Sequence, residues 1–382
     1  MTLTLLVGGF SASSYATSLY SIGNSLSNDM YPDGLQLLAQ DSGLSLDVSY
    51  HIRSSASLTY MLKYSADVTL ARPSTHDVAL VTHSFDAIAL EPYAGFDSPT
   101  YVSERDAIIA IIERVLQANA GQATFYLYSA WPNQADTGGD FDAYWRRPWT
   151  GDVLSTPVQS RSFYDALLTE LRAHFENRAS LRVIPIGDVL ARIDRDAKAG
   201  FIPNLTDMSM LYRDSIHMGE VGRFVAASTV ISTLYQRQSS ASSAMNAYQF
   251  NDGVAQLTEA LALQLEQIIW SEVAADDRTR AGGASSSSSA SSSNSSSSAA
   301  NSSSSGSSDS SSVSSSSSSD GSSSSAAASS ASAKSSVAAN SGRGSVDSMS
   351  LIMLLLIFSA RQYARSQAVL IDVDARRNFS QS

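Results

Sequence analysis

No cysteine occurs in the 382 residues. That removes thiol nucleophiles, disulfide staples and Cys-based zinc sites, and it leaves the compartment open, since an exported chain can simply lack disulfides. Basic residues are also scarce: 25 Lys and Arg stand against 36 Asp and Glu, a net charge of −11. No Lys/Arg-rich stripe is present, so the clustered cations that a phosphate backbone requires are missing and no nucleic-acid partner is expected. No HExxH and no paired acidic loop occurs. His51, His76, His83 and His174 show no ligand spacing. His76 and His83 stand near Asp77 and Asp86, but surface or core histidines are the simpler reading, so neither a metal nor another cofactor is expected. No apolar run reaches the ~20 residues that a spanning helix needs.

What is present is unevenly distributed. From about Ala281 to Ser345 the chain is almost entirely Ser, Ala, Asn and Gly. Such a stretch has too little apolar surface to offset the entropy of ordering it and reads as a disordered, solvated spacer. The part before it is ample for one well-buried core. The expected organisation is a signal-peptide remnant over 1–16, a globular domain over 17–238 and a helical extension over 239–280. A Ser-rich linker over 281–345, a short hydrophobic segment over 346–365 and a polar tail over 366–382 follow.

Both ends carry address-like patterns. Leu3 to Phe10 is a short apolar run followed by small residues through Ser13, Ser14, Tyr15 and Ala16, the pattern of a signal peptide without its basic n-region. The alternative is a first buried strand. Near the other end, Met349 to Ala360 is apolar and is followed by Arg361 and Arg365. A Ser-rich linker, glycines at 342 and 344, an apolar run and then arginines resemble the C-terminal sorting tags of bacterial exported proteins. Here the glycines flank Arg343 and the chain continues to Ser382; an ordinary short membrane anchor is the alternative. The expectation is a bacterial protein that is exported to the periplasm, the cell surface or the medium. Its C-terminal segment would meet the membrane or sorting machinery.

Within the globular part, strands are predicted at Leu19–Gly23, Leu44–Tyr50, Phe85–Leu90, Ala123–Tyr128 and Leu181–Ile186 from short apolar or alternating runs. Helices are predicted at Leu58–Lys63, from Ser103 to Leu116, at Phe163–Phe175, Val189–Ala199 and Val221–Tyr235, and over Met245–Glu272. Ser103 with Asp106 has capping-box spacing. Strands alternating with helices predict an α/β fold with a parallel sheet covered on both faces. In such sheets chemistry sits beyond the carboxyl ends of the strands, where Ser25 falls, just after the first strand.

The segment Gly23-Asn24-Ser25-Leu26 places a serine between a strand end and a helix start, where its own N–H can meet a developing oxyanion. A serine needs a base to become nucleophilic. Asp214-Ser215-Ile216-His217 offers one, with Asp214 and His217 three residues apart as on one helical turn. The carboxylate would hold one imidazole nitrogen and leave the other for Ser25.

Together these blocks resemble those of the SGNH (GDSL-like) hydrolases over roughly Leu19 to Tyr235. Gly23-Asn24-Ser25-Leu26 looks like the family's first block and Asp214-x-x-His217 like its last. The resemblance implies a flavodoxin-like three-layer α/β/α sandwich and a metal-free esterase, lipase or carbohydrate deacetylase. It assigns Ser25 as nucleophile, His217 as base and Asp214 as its partner. Two further blocks depart from the family pattern. Ser55 stands where a glycine normally supplies an oxyanion N–H, and Glu91 stands where an Asn side chain normally points at the oxyanion.

Other candidates surround this core. Phe141–Trp149 is aromatic and basic; Tyr144, Trp145 and Trp149 would stack on a sugar or line an acyl pocket, or else cap the core as a packed loop. Arg146 and Arg147 would meet a substrate carboxylate. Asn133, after a strand end, is a polar candidate. Asp140 and Asp142 read as solvated loop acids. The expected substrate is a small-molecule, polysaccharide or lipid ester. The alternative function is a glycan-binding or surface protein that keeps the fold without turnover.

Overall fold

The structure is a computed structural model, and it describes residues 17–93, 95–118, 123–150, 159–240 and 244–280. The chain divides into units 1–293 and 294–382. The expected signal segment (1–16), Ser-rich linker (281–345), hydrophobic segment (346–365) and tail (366–382) lie outside the described residues.

Strand β1 (Thr17–Gly23) is the pivot of the sheet. Its last five residues are buried, as expected for a strand with neighbours on both sides and helices on both faces. On one side it pairs in parallel with β2 (Leu46–Ile52), in register from Thr17–Leu46 to Gly23–Ile52. On the other it pairs in parallel with β4 (Ala87–Leu90), whose four residues are all buried. β5 (Thr124–Tyr128) and β6 (Ser180–Ile184) continue that side, and β3 (Leu70–Arg72) adds an antiparallel edge to β2. The order is β3-β2-β1-β4-β5-β6. Without β3, the parallel strands follow the flavodoxin-like arrangement, and the chain reverses its direction of growth between β1 and β4. That reversal opens a crevice at the carboxyl ends of these two strands.

Helices cover both faces. A short α1 (Ser25–Asn28) follows β1, and α2 (Pro32–Asp41) packs on β2. Pro32 begins α2 at the position where its missing N–H has no cost, and Gly43 follows its end at φ +68°. On one face α2, α9 (Glu220–Tyr235) and α8 (Ile186–Lys198) lie side by side. On the other are α3 (Leu58–Lys63), α4 (His76–Thr82), α5 (Tyr101–Ala118) and α7 (Arg161–Phe175). A small helix, α6 (Phe141–Arg146), joins α8 and α7. The fold is thus an α/β three-layer sandwich. Among the described residues no helix is long and apolar enough to cross a membrane.

α9 is buried almost all round, which requires a partner outside it. α10 (Glu259–Ala275) supplies it by packing on α8 and α9 through Leu261, Leu265, Ile269 and Val273. The helix predicted over Met245–Glu272 is therefore two pieces, a 3₁₀ turn at Ala244–Tyr248 and α10, separated by Asn251, Asp252 and Gly253. Gly253 adopts φ +97°, which interrupts any helix. After α10, Arg278 reaches Asp165 at 2.7 Å and Asp188 at 2.5 Å, tying the end of the described chain to α7 and α8.

Three elements differ from expectation for local reasons. α5 starts at Tyr101, and the reciprocal box is Thr100 with Ser103 (3.0 and 3.1 Å), so Ser103 sits inside the first turn. β3 makes the sheet mixed rather than wholly parallel. α6 shows that Phe141–Arg146 is helical, started by Asp140, whose carboxylate accepts the Ala143 N–H at 3.2 Å.

Trp145 of α6 is 1 % exposed and lies between Phe141 and Tyr164 with its ring over Gly187 at the start of α8. A Cβ at Gly187 would fall inside that ring, and the flanking rings leave it nowhere to move. Gly187→Ala is expected to lower stability by about 1–3 kcal/mol through overpacking, read from the midpoint of a urea transition at unchanged m-value.

Candidate active site

β1 and β4 end side by side at the crevice, with Glu91 N–H bonded to the Ile22 carbonyl at 3.0 Å. Gly23-Asn24-Ser25 turns out of β1 here. Asn24 caps α1 through its side-chain oxygen, which accepts the Leu26 N–H at 2.9 Å, and Ser25 is the first helical residue. Its hydroxyl therefore stands at the rim of the sheet.

The chain brings His217 to this point from 192 residues away, and its Nε2 lies 2.8 Å from the Ser25 hydroxyl. His217 Nδ1 lies 2.9 Å from Asp214 Oδ2. The Asp214–His217 pair does not sit on a helix; it sits in a bend closed by Asp214 itself. Asp214 Oδ1 accepts the N–H groups of Ile216 (2.9 Å) and His217 (2.8 Å). This Asx-type turn places the two side chains together as a helical turn would. Partial burial works to raise the Asp214 pKa, but these N–H groups and the imidazole outweigh it and hold the carboxyl below its ordinary value. With Asp214 ionised, the favoured imidazole tautomer donates from Nδ1 and accepts the Ser25 proton at Nε2.

The bend is anchored on three sides. The Trp131 indole donates to the Ile216 carbonyl at 2.6 Å, and the Gln134 N–H donates to the Ser215 carbonyl at 2.8 Å. Asp29, one residue past α1, accepts the Met218 N–H at 2.8 Å and pairs with Arg213 at 3.2 Å. Burial pushes Asp29 up to about 6 against the pull of Arg213. Asp29 and Arg213 are positioning residues that sequence reasoning missed. The only trace was their placement, four residues after Ser25 and immediately before Asp214.

Of the two oxyanion candidates, Ser55 and Glu91, the structure separates the roles. Ser55 lies exposed three residues beyond the end of β2, next to β1, and its φ of +60° is the left-handed conformation that a glycine adopts freely. The N–H groups of Ser25 and Ser55 have no acceptor among the described residues. Glu91 does not point at an oxyanion position. Its carboxyl is fully buried beneath the turn, where Oε2 accepts the N–H of Asn24 (2.9 Å), the N–H of Ser27 (3.0 Å) and the Ser27 hydroxyl. The physical reason is the orphan donors of α1, which a buried carboxylate satisfies better than solvent that cannot enter. A Cβ at Gly23 would collide with Glu91 and Ser27, so only glycine fits above this carboxyl.

The substrate-binding candidates fare differently. Trp145 belongs to the core. Tyr144 is buried with the Arg147 guanidinium 3.7 Å from its ring centroid, and Trp149 packs on Tyr101 and Phe163. Their ring faces are used in packing, so the segment is a cap on the core rather than a stacking surface. Arg146 pairs with Asp142 at 2.7 Å, which Arg195 also reaches. Asn133 begins a 3₁₀ turn (Gln134–Thr137) beside the His217 bend, with its amide nitrogen 3.3 Å from Asp136. His76 Nε2 lies 2.9 Å from the Met61 carbonyl and His83 Nδ1 2.8 Å from the Thr82 hydroxyl. Among the described residues no group of three or more His, Asp or Glu could hold a metal ion.

Burial pushes Glu91 up to about 7, against the hydrogen bonds from Ser27 and Asn24. Between its ordinary 4.5 and about 7 the folded chain keeps a proton that the unfolded chain releases. Stability therefore falls as pH rises through that interval, by at most ~1.4 kcal/mol per pH unit for this group, and levels off above it. Glu91→Gln is expected to flatten part of that slope in chemical denaturation curves recorded from pH 4.5 to 8.

No protein-family model and no curated protein matches the chain. Solved structures similar to it include a DUF4886 family protein from Bacteroides uniformis, 16 % identical, at a TM-score of 0.45 over 68 % of this chain and 94 % of that one. A member of the lipolytic protein G-D-S-L family from Veillonella parvula is 11 % identical, at a TM-score of 0.35 over 58 % of this chain and 100 % of that one. A carbohydrate esterase family 3 structure from Talaromyces cellulolyticus is 11 % identical, at a TM-score of 0.36 over 58 % of this chain and 97 % of that one.

Proposed function

We propose that this chain is a serine esterase acting on an ester or O-acyl group, with Ser25 as nucleophile. The observation that carries the reading is the relay Ser25–His217–Asp214, at 2.8 and 2.9 Å, at the carboxyl end of the central strand. The order of groups fits acyl transfer. Ser25 attacks the ester carbonyl while His217 Nε2 takes the hydroxyl proton. Asp214 holds the imidazole and stabilises the imidazolium that forms. The negative charge that develops on the carbonyl oxygen meets the N–H groups of Ser25 and Ser55. His217 then passes the proton to the leaving alcohol, and water, deprotonated by the same imidazole, releases the acid from Ser25.

Glu91 enters this scheme from below, by fixing Asn24 and Ser27 on either side of Ser25. Asp29 and Arg213 enter by holding the His217 bend against α1. The reading extends to an exported protein, on the sequence patterns at both ends of the chain.

Ser25→Ala is expected to reduce hydrolysis of p-nitrophenyl acetate by at least ~10³-fold and to abolish labelling by a fluorophosphonate probe. Equal rates in both proteins would overturn the assignment. Asp214→Asn is expected to keep the fold, checked by circular dichroism, and to lower kcat by a comparable factor, since the wrong imidazole tautomer is then favoured.

A further inference from the structure

The aromatic surface expected at Phe141–Trp149 is internal, yet the crevice has one on its other side. Phe96 is 53 % exposed and meets Tyr60 of α3 edge-on, with ring centroids 4.7 Å apart. Tyr64, 45 % exposed, extends the patch from Tyr60 at 4.8 Å. The Arg53 guanidinium lies 5.6 Å from the Phe96 centroid and 6.0 Å from that of Tyr60.

This cluster is built onto the site. Arg53 N–H donates to the Gly23 carbonyl at 3.0 Å, two residues before Ser25. Phe96 N–H donates to the carbonyl of Ser55 at 2.8 Å, the residue whose N–H faces the oxyanion in the proposed mechanism. The turn that presents Phe96 is held from both sides. Gly95 takes φ +63°, and Asp97 accepts the Ser57 hydroxyl at 2.6 Å. Phe96, Tyr60 and Tyr64 thus form a partly exposed aromatic patch near the end of β2, the kind of surface that marks a binding site when polar groups rim it.

The edges of the patch are polar. Tyr60 donates its hydroxyl to Asp67 at 2.6 Å, and Arg53 pairs with the same carboxylate at 2.9 Å. The hydroxyls of Ser54 and Thr69 lie beside them, 3.4 Å apart. The exposed Phe96 ring, bordered by hydroxyl, carboxylate and guanidinium groups, matches a pyranose, which presents a C–H face and a rim of hydroxyls. It does not match a fatty acyl chain, which needs an enclosed apolar slot.

We propose that Phe96, backed edge-on by Tyr60, forms a stacking platform for a sugar ring of an O-acylated pyranose oligosaccharide, placing its ester on Ser25. The proposal deepens the esterase reading and rests on it for the reaction, but the binding is separable. The test pairs kinetics with binding, using partially O-acetylated xylohexaose and cellohexaose. Phe96→Ala is expected to lower kcat/KM on these by ~10-fold, mainly through KM, and Phe96→Tyr to restore it. Hydrolysis of p-nitrophenyl acetate and p-nitrophenyl octanoate is expected to stay within about twofold. Calorimetric titration of Ser25→Ala with the same oligosaccharides is expected to show binding that Phe96→Ala removes. Phe96-dependent binding in a protein that hydrolyses no ester would leave the platform standing and sink the esterase reading. An active esterase whose oligosaccharide kinetics and binding ignore Phe96, or that binds neither oligosaccharide, overturns the platform. A Phe96→Ala loss as large on p-nitrophenyl octanoate assigns the patch to an acyl chain and overturns it too.

Discussion

A single buried carboxyl, Glu91, joins the two strands that define the crevice. It leaves β4 and closes on the backbone that leaves β1, taking the N–H groups of Asn24 and Ser27 and the Ser27 hydroxyl. α1 is four residues long, far too short to hold a helical turn by its own hydrogen bonds. Its geometry is therefore imposed from outside. Glu91 fixes its start, and Asp29 fixes its end to the His217 bend. Both acids are buried, and burial raises both pKa values. Ser25 stands between them, so the position of its hydroxyl relative to His217 is set by two groups that need not touch a substrate.

The His217 bend shows the same logic. Asp214 closes its own turn, but the turn's placement depends on Trp131 and Gln134 beyond β5 and on Arg213 pairing with Asp29. Strands β1 and β5 and the segment before α9 thus converge on one point, which is the general consequence of gathering parallel strands whose carboxyl ends share an edge. Aromatic groups divide by function of place. Trp145 fills the layer between α6, α7 and α8 and Trp149 packs on Tyr101 of α5 and Phe163 of α7, while Tyr60 and Phe96 stay at the rim where β2 ends.

Much of this was legible in the linear pattern. Apolar runs of strand length alternating with helical periodicity led to the α/β architecture, and Gly23-Asn24-Ser25 with Asp214-x-x-His217 named the groups that meet. Short elements were not legible. β3 has three residues, mostly exposed, and owes its existence to pairing with β2. α6 was hidden by Pro148 and the paired arginines, which suggest a loop. The helix expected across Gly253 was broken by a backbone angle that composition does not display.

Residue type and order by themselves singled out Ser25, His217 and Asp214 as groups that meet, because serine catalysis admits few combinations and these occur at strand ends and turns. They also pointed to a core covered on both faces, since strands alternate with helices along the chain. Tertiary structure alone decided what each neighbouring side chain does. Glu91 and Ser55 occupy similar places in the chain's order, after β4 and after β2, yet one is buried against backbone donors and the other exposed at the rim. Trp145 and Phe96 are both large and apolar, and only packing put one inside and left the other in water. Burial and hydrogen-bond partners depend on segments distant in sequence, and local pattern does not encode them.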